Sequence, residues 1–87
     1  MYIVLVYDVE QKRVAKALKV CRGYLNWIQN SVFEGELTDG QYKELQQKLR
    51  KVISIKKDSV LFFKMNSETA FAKEIMGIEK APTSNMI

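Results

Sequence analysis

The segment that most constrains the fold is residues 2–7, YIVLVY, because every position in it is apolar or aromatic. Its β-branched and aromatic residues are typical of a β-strand. Successive side chains of a strand point to opposite faces of a sheet, so both faces of this strand need to be covered by protein. The segment ends at Asp8, and the cations Lys12 and Arg13 follow shortly after it.

Two segments have the periodicity of amphipathic helices. Residues 11–23 place apolar side chains three and four positions apart, which predicts a helix with a buried stripe. A second helix is predicted to begin at Thr38, where Gln41 supplies the partner of a capping box, and to end near Ser54.

Three further segments are strand-like. Residues 25–37 are interrupted by asparagine and glycine, which predicts a bulged strand or a very short hairpin. Residues 58–65, DSVLFFKM, predict a strongly apolar strand, and residues 71–78 predict a weaker one. The order of elements predicts an α+β, ferredoxin-like β-α-β-β-α-β sandwich within one domain at residues 1–80, followed by a flexible tail at residues 81–87.

The two predicted helices can cover only one face of such a sheet. The strands at residues 2–7 and 58–65 are apolar on both faces, so the second face would leave a large apolar patch in water. The simplest remedy is a second copy packed sheet to sheet, which predicts a homodimer. In that dimer, we expect residues 71–78 to add a strand to the sheet edge of the partner.

Composition limits the chemistry that the chain can perform. Its 87 residues include no histidine and one cysteine, Cys21. This excludes histidine general bases, histidine zinc sites and an internal disulfide, and leaves carboxylates, hydroxyls, lysines or a hard metal ion. No apolar run approaches the ~20 residues of a membrane helix, so we expect no membrane segment and a cytoplasmic location.

Asp8 has two interpretations. An aspartate that follows a strand commonly caps the next helix. A carboxylate also suits Mg²⁺, which takes hard oxygen ligands and often uses one or two carboxylates together with water and phosphate. A two-fold axis near the strand ends would bring two copies of Asp8 together and would make a better metal site.

Five cations lie along the first predicted helix without an intervening acid. They are compatible with a solvated helix face and with a surface that binds the phosphate backbone of a nucleic acid. The net charge of +4 permits the second interpretation. We call this group the basic stripe, and its members are Lys12, Arg13, Lys16, Lys19 and Arg22.

The chain resembles the Cas2 family, the smaller of the two CRISPR-associated spacer-adaptation proteins. The likeness rests on the apolar strand that ends in Tyr7 and Asp8, the basic first helix, the block QNSVFEG at residues 29–35, and the strand DSVLFFKM. The segment KEIMGIEK, residues 73–80, is also similar to the tail strand of that family. One residue departs from the pattern, since Trp27 stands where many members have arginine.

The resemblance implies a homodimer that joins the larger CRISPR integrase subunit during the capture of foreign DNA. It also implies a metal-dependent endonuclease that acts on RNA or double-stranded DNA, with one Mg²⁺ shared by Asp8 of both chains. Tyr7, Arg13 and Phe33 fall at positions similar to ones linked with activity or substrate contact in that family.

Three functions follow from the sequence and stay open at this point. The first is an adaptation subunit that binds duplex DNA through the surface of its dimer. The second is a magnesium-dependent phosphodiesterase that uses the Asp8 pair. The third is a non-catalytic, ferredoxin-like regulatory or interaction module.

Overall fold

The computed structural model describes residues 1–66 together with residues 76 and 77. Its elements in chain order are β1 (Tyr2–Asp8), α1 (Gln11–Arg22), β2 (Asn26–Gln29), β3 (Val32–Glu36), α2 (Asp39–Val52) and β4 (Ser59–Met65). Apart from Met76 and Gly77, the strand expected at residues 71–78 and the tail at residues 81–87 lie outside the described residues. Neither helix of the described part has the length and apolar character needed to cross a bilayer.

The four strands form one antiparallel sheet in the order β2-β3-β1-β4. The first strand of the sequence is therefore central, with β3 on one side and β4 on the other. This position explains why all its residues before Asp8 are apolar or aromatic. The arrangement confirms the predicted α+β, ferredoxin-like sandwich.

The segment between the helices is both a hairpin and bulged. The β2–β3 register shifts between Trp27 and Gln29, and Asn30 turns the chain at φ 43°, a left-handed conformation that asparagine tolerates better than most residues. The indole Nε1 of Trp27 donates a hydrogen bond to the Asn30 carbonyl at 2.9 Å. Trp27, the residue that departs from the family pattern, therefore closes this turn.

The second helix begins as the sequence predicts. The Thr38 hydroxyl accepts a hydrogen bond from the backbone N–H of Gln41 at 3.1 Å, and the Gln41 side chain accepts one from the backbone N–H of Thr38 at 2.9 Å. This reciprocal pair is a capping box, which satisfies two backbone donors that the helix itself leaves unpaired.

Both helices pack on one face of the sheet, which we call the covered face. Ile3 and Leu5 of β1 and Phe33 of β3 lie there with no exposed surface. Cys21 of α1 and Leu45 of α2 close over them and are equally inaccessible. The hydrophobic core is therefore a single layer between the helices and the covered face.

The opposite face, which we call the open face, is largely apolar, and neither helix covers it. Its residues form two rows across the sheet, with Val6 between Val32 and Leu61 in one row and Val4 beside Phe63 in the other. Leu61 is 56% exposed and Phe63 is 53% exposed. A patch of this kind is what the sheet-to-sheet homodimer predicted from the sequence would bury.

Candidate metal and nucleic-acid site

Asp8 is the last residue of the central strand and its side chain is exposed on the open face. Ser59 of β4 lies directly opposite it in the sheet register. On the other side, the N–H of Tyr7 donates a hydrogen bond to the Ser31 carbonyl at 3.1 Å. The backbone that carries the carboxylate is thus held by both neighbouring strands.

Asp8 does not cap the first helix, so the capping interpretation is wrong. The N-cap of α1 is Glu10, and no side chain caps the backbone of that helix. The apolar row that contains Val6 and Leu61 lies two residues before Asp8 along the strand, or about 7 Å away. A second copy that covers the open face would therefore have Asp8 at the border of the interface.

Among residues 1–66, the carboxylates of one chain do not form a complete metal site. Glu34 shares the open face but lies four positions from Asp8 in the register, about 13 Å away. Glu10 and Asp58 are ion-paired with Arg13. Within the described part of the chain, no group of three or more potential metal ligands occurs. Since Mg²⁺ binds one or two carboxylates with water and phosphate, Asp8 fits it as half of a site shared between two copies.

Tyr7 and Phe33 lie on the covered face, away from the Asp8 side chain. Phe33 has no exposed surface, Tyr7 is 6% exposed, and their rings stack with centroids 6.0 Å apart. Burial, aided by the nearby Cys21, raises the pKa of the Tyr7 hydroxyl above its ordinary value, while burial raises the pKa of the Cys21 thiol to about 12. These groups stay protonated at neutral pH, and the structure does not bring them together with Asp8.

Arg13 is joined to a residue that sequence reasoning missed. Its guanidinium donates from Nε to Asp58 Oδ2 at 2.7 Å and from Nη2 to Asp58 Oδ1 at 2.9 Å. A further hydrogen bond runs from Nη2 to Glu10 Oε1 at 2.9 Å. The paired hydrogen bonds from Arg13 are the main reason that the pKa of the Asp58 carboxyl lies well below its usual range. Sequence reasoning placed Asp58 inside a strand, and a contact between residues 45 positions apart has no local signal.

The basic stripe divides into two parts. Arg13 turns inward and its side chain is 18% exposed, whereas Arg22 is exposed at the end of α1. The buried residues Ala17 and Cys21 face the sheet, so positions on the opposite side of the helix point into solvent, away from the sheet and its open face. Three exposed lysines occupy those positions at intervals of four and three residues: Lys12, Lys16 and Lys19.

Comparisons with known proteins point to one family. The sequence profile of the family described as CRISPR associated protein Cas2 matches residues 1–73. The CRISPR-associated endoribonuclease Cas2 of Thermotoga maritima is 51% identical over 80 residues, which cover 92% of either chain. The protein of the same name from Pyrococcus furiosus is 46% identical over 87 residues, 100% of each chain.

Solved structures give the same result. A crystal structure of a Cas2 protein superposes with a TM-score of 0.87 at 39% identity, and the match covers 100% of this chain and 98% of that chain. Streptococcus pyogenes Cas2, solved at pH 6.5, superposes with a TM-score of 0.79 at 29% identity over 88% of this chain and 100% of that one.

Proposed function

Because the chain belongs to the family of CRISPR associated protein Cas2, we propose that it is a homodimeric nuclease that cleaves RNA with one magnesium ion held between two Asp8 carboxylates. The names of the relatives from Thermotoga maritima and Pyrococcus furiosus, both endoribonucleases, support the substrate class. The observation that carries the proposal is the position of Asp8, exposed at the end of the central strand and bordering the open apolar face.

The chain contributes metal ligands and a partly desolvated environment to this reaction. Mg²⁺, when bound, neutralises charge on the scissile phosphate and lowers the pKa of a coordinated water. Two Asp8 carboxylates would hold it, and the apolar rows next to them would exclude water from the side of the interface. Since the chain has no histidine, no imidazole moves the proton.

Replacement of Asp8 by asparagine tests the nuclease proposal. Asp8→Asn keeps the shape of the side chain and removes its charge, so we expect cleavage of a single-stranded RNA to fall to the rate in buffer. Dimerisation in sedimentation and the thermal midpoint should stay unchanged. Asp39→Asn is the matched control, because Asp39 is an exposed aspartate at the start of α2, distant in sequence from the site. Equal cleavage by Asp8→Asn and the wild type would contradict the proposal.

A second function is favoured by the direction of the three lysines on α1. They face away from the open face, so they remain exposed after two copies pair. This supports a role as a CRISPR adaptation subunit that binds duplex DNA and joins the integrase, without any need for cleavage at Asp8. Binding by such a surface depends on phosphate contacts and is therefore sensitive to salt.

Salt dependence of duplex binding tests the adaptation role. If all three lysines contact phosphate, their replacement by glutamine should reduce the slope of log K against log salt by about 2–3. The matched control removes the same charge from α2 by the substitutions Lys43→Gln, Lys48→Gln and Lys51→Gln, and it should leave the slope unchanged. Equal losses in both triple variants, or a wild type with no salt-dependent binding with or without an integrase subunit, would contradict this role.

A further inference from the structure

Asp58 forms a buried junction between two loops. It lies immediately before β4, and its side chain has no exposed surface. Besides the two hydrogen bonds from Arg13, its carboxylate accepts one from the backbone N–H of Glu10 at 3.0 Å and one from the backbone N–H of Ser54 at 2.7 Å. One side chain thus ties the β1–α1 loop and the start of α1 to the turn that follows α2.

This junction lies directly beside the position that carries Asp8. Glu10 is two residues after Asp8, and Ser59, which pairs with Asp8 in the sheet, is the residue after Asp58. The backbone around Asp8 is therefore joined to β4 twice, once through the sheet and once through the Asp58 carboxylate. Both connections are short, so a change at Asp58 should alter the position of the backbone at Asp8.

The same contacts determine whether Arg13 can bind a nucleic acid. Both Nε and Nη2 of its guanidinium point at carboxylates within the chain, in the bidentate geometry that arginine and aspartate form most strongly. Lys12, the neighbouring cation, is instead exposed. An arginine that makes these contacts stabilises the loop and does not contact phosphate.

We propose that Asp58 is a positioning residue for Asp8, and that Arg13 acts in the reaction through Asp58 and not by contact with the nucleic acid. The inference rests on the proposed nuclease function. It adds Asp58 to the residues that cleavage requires, and it moves Arg13 from the basic stripe and the candidate catalytic group to a supporting position.

A double-mutant cycle on the full-length dimer tests this assignment. Asp58→Asn and Arg13→Gln should each lower the single-turnover cleavage rate of RNA by about 10- to 100-fold, the usual effect of removing a group that orients a metal ligand. The double variant should be no slower than the slower single variant, because both changes break one unit. Arg13→Lys, which keeps the positive charge but not the bidentate fork, should be faster than Arg13→Gln and slower than the wild type.

The salt dependence of RNA binding distinguishes a supporting role of Arg13 from direct contact with phosphate. If Arg13 does not touch phosphate, Arg13→Gln should leave the salt slope of RNA binding unchanged, whereas Lys12→Gln should reduce it by about one. A slope that falls by about one in Arg13→Gln, or an Asp58→Asn protein with the wild-type rate, would overturn the inference. Thr38→Ala, which weakens α2 at its far end, controls for a loss of rate that merely follows a loss of stability.

Amide hydrogen exchange tests the role of Asp58 without a measurement of cleavage. In Asp58→Asn, exchange at the Glu10 amide should accelerate at least about ten-fold, because its acceptor is weakened. Unchanged exchange would overturn the inference even if the protein cleaves RNA. A wild type that neither binds nor cleaves RNA would instead count against the proposed function, while the exchange result would still decide whether Asp58 fixes the loop.

Discussion

Phe63 is the residue whose replacement should most directly weaken the pairing of two copies. It lies on the open face beside Val4, and 53% of its surface is exposed. Serine at this position removes the apolar ring without disturbing the core, since the ring lies on the face opposite to the helices. Phe63→Ser therefore isolates the contribution of the open face.

The size of the effect follows from the exposed fraction. Complete burial of a phenylalanine side chain contributes about 1.5–3 kcal/mol. About half of Phe63 is exposed in one copy, so its burial on pairing contributes about 0.8–1.5 kcal/mol per copy. A two-fold interface contains the residue twice, and Phe63→Ser should weaken the dimer by about 1.6–3 kcal/mol, or about 15- to 150-fold in Kd.

Sedimentation equilibrium over a range of concentrations measures this Kd. Ile55→Ser is the matched control, because Ile55 is 67% exposed but lies after α2 on the helix side, where it lines a cavity with Ile53 and Phe62. Its Kd should equal that of the wild type. An unchanged Kd for Phe63→Ser, or the same loss in both variants, would refute the reasoning that the open face holds two copies together.

Three further predictions concern the folded chain. Phe33→Ala should lower the free energy of unfolding by about 3–5 kcal/mol, because the ring is fully buried; a fully stable variant in thermal denaturation that has lost only cleavage would contradict this packing role. Thr38→Ala removes one hydrogen bond of the capping box and should lower stability in urea denaturation by about 1 kcal/mol. Hydrogen bonds, mainly from Arg13, hold the pKa of the Asp58 carboxyl well below its usual range. Such a carboxyl adds stability above its unfolded-state pKa of about 3.9 and loses it as the pH falls toward the folded-state pKa. Between about pH 5 and pH 2, the wild type should therefore lose more stability than Asp58→Asn, and parallel stability curves for the two would count against the ion pair.

The parts of the fold that depend on local patterns were predictable from the sequence. The capping box needs only Thr38 and Gln41, three residues apart, and the structure has it where it was predicted. The apolar character of both faces of residues 2–7 indicated a strand that needs cover on both sides, although two helices can cover only one face of the sheet. Leu61 and Phe63 confirm that prediction by their exposure on the open face.

The parts that depend on distant pairing were not predictable in this way. Arg13 and Asp58 are 45 positions apart, and neither residue type nor spacing distinguishes an arginine bound to a buried carboxylate from one that faces solvent. Tyr7 was a candidate because it falls at a position linked with activity in the family that the sequence resembles, yet adjacent residues in a strand point to opposite faces, so Tyr7 and Asp8 lie on different sides of the sheet. That alternation separates Tyr7 from the carboxylate and places it in the core.

The placement of α1 has a consequence for how a nucleic acid would meet this protein. In the proposed sheet-to-sheet dimer, the outward lysines of the two copies would point in opposite directions, and the two Asp8 carboxylates would lie between them. A nucleic acid bound by the lysines of one copy would have to pass around the edge of the sheet before its phosphates reach the two Asp8 carboxylates. Oligonucleotides too short to make that passage would be held without being cut, so polymer length would decide the outcome more than base sequence.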